Sequence, residues 1–285
     1  MIRKILVPVR GDGKGDNVLR HAMALGQRFE AHIEVVHCRP RPDDLLPFGV
    51  PIPSFLKDQV AAQAREVADQ EEAKLIAEFK ALVAASAFTE ADAPVAGAPT
   101  IAWVEEQGKQ VDVIKSHGRL CDVIAVAKPD RDRNLGTNTL KAALFHVGRP
   151  VLMCPPAEAP PPRLGDKVAI AWNGSLEATR AAAMTLHLMQ SASEVAILTV
   201  GTDAGGPQGA EAFQAYLASH NVTAQIRRSE AVGGVGETLL TEANTVGADM
   251  LIMGAYGDSH ERETLFGGNT QTIVDTARMP VALVH

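Results

Sequence analysis

The chain has 285 residues, 27 Lys and Arg against 34 Asp and Glu, a formal net charge of −7 and a pI near 5.7. That length points to two domains, and the acidic balance leaves no basic surplus for neutralising phosphates, which argues against a nucleic-acid binder. At 46% hydrophobic and 21% charged residues the composition is that of an ordinary globular chain; with 4% aromatics, Ala, Val, Leu and Ile must build the core. No apolar run approaches the roughly 20 residues of a membrane span, and the apolar stretch at 5–9 ends at Arg10, too short for a signal-peptide core. Cys38, Cys121 and Cys154 are an odd number, far apart and without a CxxC pair, so reduced thiols in a cytoplasmic protein are expected.

Residues 4–9, Lys-Ile-Leu-Val-Pro-Val, read as a strand, followed by a turn with Gly11 and an Ala-rich amphipathic helix. A second strand is predicted at 32–37, a Pro-rich loop over 39–53 and a long helix at 57–84, rich in Ala, Glu and Lys. Residues 122–127 form the penultimate strand and 150–154 a Pro-led final one. The same series recurs at 167–172, 194–200, 249–254 and 280–284. The first strand repeats after 163 residues (4 to 167) and the penultimate after 127 (122 to 249), so the first half carries about 36 extra residues, around 41–90. A Pro-rich spacer separates the copies, giving domains at 1–155 and 166–285 with a linker at 156–165. Strands alternating with helices imply two tandem α/β domains, each a doubly wound parallel sheet. Ligands then bind beyond the C-terminal strand ends, where the strand order reverses.

After the penultimate strand of the second half the chain reads Gly254-Ala-Tyr-Gly257, then nine residues to Gly267-Gly268-Asn269-Thr270, and a helix is predicted from about Thr270 to Arg278. Glycines permit close backbone approach, and a helix start attracts an anion. A phosphate cradle and a set of plain turns both fit this spacing. Here the chain resembles the universal stress protein family, over nearly its whole length and as two tandem copies. The family's nucleotide-binding members carry G-x2-G-x9-G-[S/T] after the fourth strand of a five-stranded sheet. Gly254, Gly257 and Gly267 match; Gly268 stands where Ser or Thr would, with Asn269 and Thr270 as substitute hydrogen-bonding groups. Where ATP-binding relatives place an Asp after the first strand, this chain has Asn173, which can still recognise a base, though Asn-Gly is equally a good turn. Val200 matches a nucleoside-contacting position and reads equally well as core. The resemblance thus assigns nucleotide binding to Ala171, Asn173, Val200, Met253, Gly254, Gly257, Gly267, Gly268, Asn269 and Thr270, with no catalytic residue and no metal ligand.

In the first half Ala127 and Asp130 replace the leading glycines, the piece Gly136-Thr137-Asn138-Thr139 follows after a shorter loop, and Arg10 stands at the Asn173 position. That half reads as a degenerate copy kept for packing or partner binding. Gly11-Asp-Gly13-Lys14-Gly15 lacks the spacing of a P-loop or of G-x-G-x-x-G. No His and Cys show metal-ligand spacing, and Gly233-Gly234-Val235-Gly236 reads as a helix-entry turn. Ser259, His260, Glu261 and Glu263 read as a solvated loop rather than a catalytic triad. The resemblance implies a stress-response regulator that binds ATP with Mg2+ in its second half and forms an intramolecular pseudo-dimer through strands 150–154 and 280–284, with a homodimer as a further assembly. The alternatives are a scaffold acting on protein partners and, last, a slow ATP hydrolase, for which the sequence offers no evident general base.

Overall fold

A computed structural model describes residues 1–9, 15–39, 54–156, 163–201, 205–257 and 268–285. The first apolar run forms β1 (Lys4–Val9) and leads to α1 (Gly15–Phe29), which turns Val18, Leu19, Ala22, Leu25 and Phe29 inward at helical spacing. Then come β2 (His32–Arg39), α2 (Ser54–Ala84), the two-residue β3 (Thr89–Glu90), β4 (Thr100–Gln107), α3 (Gln110–Gly118), β5 (Val123–Ala127), α4 (Thr137–His146) and β6 (Val151–Cys154). The second half runs β7 (Lys167–Ala171), α5 (Leu176–Ser191), β8 (Glu194–Val200), a 3₁₀ turn (Gly206–Gln208), α6 (Ala210–Ser219), β9 (Ala224–Ser229), α7 (Val235–Thr245), β10 (Met250–Gly254), α8 (Gly268–Thr276) and β11 (Val281–Val284).

All strands join one sheet in the order β3-β4-β2-β1-β5-β6-β11-β10-β7-β8-β9. Apart from the short β3, each half has its third, second, first, fourth and fifth strands side by side, all parallel. That is a doubly wound order, reversing between first and fourth strands. The fifth strands meet antiparallel, Leu152 opposite Ala282. Both are buried along their whole length, so the pairing closes an apolar edge on each half. Central strands covered on both faces explain the continuous apolar runs: Val7 and Ile170 face one layer of core, Leu6 and Ala169 the other.

The repeated Asp before each penultimate strand has a shared task. Asp122 Oδ2 accepts the N–H groups of Arg3 (2.7 Å) and Lys4 (3.0 Å). Asp249 accepts those of Gly165 (2.6 Å), Asp166 (3.0 Å) and Lys167 (2.8 Å). Each carboxylate fixes where its half's first strand begins.

Several boundaries differ from the sequence expectation. The long helix starts at Ser54 rather than 57, and α8 spans Gly268–Thr276 rather than about 270–278. Of the expected linker, 157–162 lie outside the described residues, while Leu164 is fully buried and Gly165 is bound to Asp249. Its last residues therefore belong to the second half's packing. The three cysteines are buried and form no disulfide with one another, and burial pushes the Cys121 thiol up to about 12. No described helix is long and apolar enough to cross a membrane.

Candidate functional site

In the second half the strand order reverses between β7 and β10, whose C-terminal residues are Ala171 and Gly254. The chain leaving β7 is a helix-entry turn. Asn173 is exposed, and its Oδ1 accepts the N–H of Ser175 at 3.1 Å. Gly174 takes a left-handed φ of 74°, and Ser175 caps α5 by accepting the Ala178 N–H on its Oγ at 3.2 Å. Trp172 stacks on Phe213 with centroids 3.9 Å apart and donates Nε1–H to the Gln208 carbonyl.

The entry of α5 presses directly on β10. A Cβ on Gly254 would stand 2.5 Å from the Glu177 carbonyl carbon and 2.6 Å from the Ala178 nitrogen. Gly254 is therefore required by packing, whatever it does for a ligand. A Cβ on Gly257 would lie 3.1 Å from Glu177 Oε2, so a buried carboxylate sits against this part of the glycine loop. Sequence reasoning passed over Glu177, because it lies in the first turn of a helix and outside every glycine spacing.

Gly268 is the first residue of α8 and is exposed, and no described residue lies within 4 Å of where its Cβ would be. Asn269 is exposed, and its carbonyl would stand 2.8 Å from a Cβ on Gly236, which explains that glycine in α7. Thr270 is buried and its Oγ1 accepts the Tyr256 N–H at 3.4 Å. Tyr256 has a φ of 59°, a left-handed conformation uncommon outside glycine. Its ring meets Phe145 of α4 with centroids 5.0 Å apart, and burial raises its hydroxyl pKa.

The reversal point thus gathers Ala171, Asn173, Gly254, Gly257 and, through the Thr270–Tyr256 bond, the start of α8. Met253 is buried in β10, and Val200, at the end of β8, is half-buried among apolar neighbours. Gly267 lies outside the described residues, as do Ser259, His260, Glu261, Glu263, Arg10 and 11–14.

The equivalent loop of the first half is closed on itself. Asp130 and Leu135 exchange backbone hydrogen bonds of 2.9 Å, and Asp130 Oδ1 accepts the Arg133 N–H. The loop also reaches across to the second half: Lys128 Nζ donates to the Ala277 carbonyl at 2.9 Å and Arg131 Nε pairs with Asp275 at 2.8 Å. Its cations serve the C-terminal end of α8, where they complement the helix dipole.

Two doubly wound halves of the same strand order, joined in tandem into one sheet, define a class of two-domain α/β proteins. The universal stress protein family model matches residues 1–126 and 166–285, and the chain belongs to that family. A universal stress protein from Archaeoglobus fulgidus DSM 4304 has a TM-score of 0.67 at 16% identity, covering 99% of this chain and 95% of that one. A functionally unknown protein from Pseudomonas aeruginosa PAO1 gives 0.56 at 16% identity, covering 99% and 92%. A putative universal stress protein from Pseudomonas aeruginosa UCBPP-PA14 gives 0.52 at 16%, covering 99% and 93%. At such identities the likeness concerns the fold alone. No curated protein matches the sequence.

Proposed function

We propose that this protein is a cytoplasmic stress-response regulator that binds an adenine nucleotide, ATP with Mg2+, once per chain in its second half. The reading rests on the start of α8, where Gly268 is exposed and no described residue lies within 4 Å of its Cβ position, at a helix N-terminus beside the reversal point. Asn173 would meet the base and Val200 the nucleoside. Ala171, Met253 and Gly254 would form the floor, and Gly257, Gly267, Gly268, Asn269 and Thr270 would surround the phosphates. The Glu177 carboxylate beside Gly257 repels a bare phosphate and suits one carried by Mg2+, which is commonly held by one or two carboxylates together with phosphate oxygens.

Gly268→Ser tests this reading. Gly268 lies in the first turn of α8, and no described residue stands within 4 Å of its Cβ position. A hydroxyl there adds a hydrogen bond to a charged phosphate, about 1.5–3 kcal/mol, so calorimetry should show ATP binding tightened about tenfold or more and adenosine binding unchanged. An unaltered ATP-to-adenosine ratio sinks the phosphate placement.

A second reading, a scaffold acting through protein contacts, is favoured by the internal use of Asn173 Oδ1 on Ser175 and of Thr270 Oγ1 on Tyr256. Mass spectrometry of small molecules released on denaturation decides between them: an adenine compound supports the first reading, and its absence together with no calorimetric ATP binding supports the second.

A further inference from the structure

Three side chains from three elements of the first half meet near the C-terminal end of its sheet. His37 of β2 and Glu105 of β4 are direct partners across the parallel ladder. Glu72 comes from α2, where Leu75, Phe79 and Val83 form the buried stripe and Glu72 extends it by one turn. An acidic residue thus occupies a core-facing position, with its side chain 16% exposed. His37, Glu72 and Glu105 each bring one ligand atom within 4.8 Å of the others. The His37 residue is 8% exposed, and its Nδ1 is sealed from solvent with no hydrogen-bond partner among the described residues. A buried polar atom in that state is destabilising unless something binds it.

The surrounding groups orient these three. Arg39 donates to Glu72 Oε2 at 3.2 Å and also pairs with Asp69. Trp103 Nε1–H donates to Glu105 Oε1 at 3.1 Å, and the same indole stacks on the His37 ring, 5.8 Å away at 27°. Phe79 supports Trp103 from 5.3 Å. Metal centres are built in this way, with an outer group holding each ligand. Among the described residues, Asp69, Glu71 and Glu105 lie around His37 and Glu72 with one guanidinium, that of Arg39, so acidic groups outnumber the cation there.

The second half solves the same position differently. Counted from the start of the second strand, Thr199 takes the place of His37, and its ladder partner is Arg228. Arg228 pairs with Glu211 of α6. A built-in cation thus stands where the first half has a carboxylate pair and an imidazole.

We propose that His37, Glu72 and Glu105 bind one divalent transition-metal cation of the zinc class, with water completing the coordination. One nitrogen and two carboxylate oxygens suit a borderline ion such as Zn2+ or Co2+, whereas Ca2+ and Mg2+ prefer oxygen ligands throughout. Ligand atoms about 2.1 Å from a tetrahedral ion lie roughly 3.4 Å apart, and small side-chain rotations close the remaining gap.

The test uses the full chain after stripping with a chelator. Zn2+ titrated in competition with a chromophoric chelator should bind at one ion per chain, and Co2+ should give a visible absorption band together with quenching of tryptophan fluorescence. His37→Gln and Glu105→Gln should each weaken binding at least tenfold, and Glu105→Arg, which copies the second half, should abolish it. Glu105 is exposed, so its variants keep the fold, which far-UV circular dichroism verifies. His117→Gln removes a histidine already held by Glu34 and Glu106 and should change nothing. No bound ion, or affinity unchanged in the Glu105 variants, overturns the proposal.

Discussion

The two halves share one strand order and differ in how they use the ends of the strands. In the first half the loop after β5 folds back through the Asp130–Leu135 bridge and sends Lys128 and Arg131 to α8. In the second half the segment after β10 meets an exposed helix start at Gly268 instead. The first-half loop thus holds the other copy, with Lys128 and Arg131 reaching the C-terminal end of α8. The side-chain cluster at His37 runs the other way: there the first half gathers buried and charged ligand types, and the second half neutralises the position with Arg228.

Gly254→Ala breaks this comparison most severely. Ala127 occupies the same place in the first half, but in the second half a Cβ meets the α5 backbone at 2.5–2.6 Å. Backbone cannot step aside as a flexible side chain can, so destabilisation of about 3 kcal/mol or more is expected, the upper end for overpacking. Urea denaturation reads it. A loss under about 0.5 kcal/mol would mean that the close approach of α5 is not a real constraint.

The paired aspartates sharpen the comparison with a smaller effect. Asp249 holds three N–H groups and Asp122 two. Hydrogen bonds to a charged group contribute most when their loss leaves buried donors unpaired. Burial raises the Asp249 pKa in spite of its three donors, so its bonds are partly offset by desolvation. Asp249→Ala should cost about 2.5 kcal/mol and Asp122→Ala about 1.5 kcal/mol, in thermal or urea unfolding. A larger loss for Asp122 would reverse the ranking by donor number.

Acid should separate the halves more gently. Burial lowers the pKa of His21 and His32 in the first half and of His187 in the second. Below pH ~6.5 the unfolded chain takes up protons that these folded residues refuse. Their contribution is therefore complete above that pH and declines as the pH falls through it, by at most about 1.4 kcal/mol per pH unit for each group. Hydrogen exchange at pH 7.5 and 5.5 should show first-half amides losing more protection. Equal loss in both halves would remove the asymmetry.

Much was legible in the chain itself, for a definite reason. Central parallel strands are buried on both faces, so 4–9, 122–127, 167–172 and 249–254 carry their structure as short apolar runs, and recurrence exposes the duplication. The edge strand β9 shows no such run, because only one of its six residues is buried. The boundary of α8 shifted by two residues, since Gly268 and Asn269 disfavour a helix in isolation and are helical here. Spacing identified Gly254 and Gly257 as special. Only the tertiary structure decided that Gly254 makes room for α5 and that Glu177 faces Gly257. The same holds for His37, Glu72 and Glu105: they are distant in sequence, lie on a strand, a helix and a strand, and become neighbours only through the β2–β4 register and the packing of α2. Periodicity records which side of an element is buried; which side chains then touch across elements depends on register and docking, and a single sequence does not encode those locally.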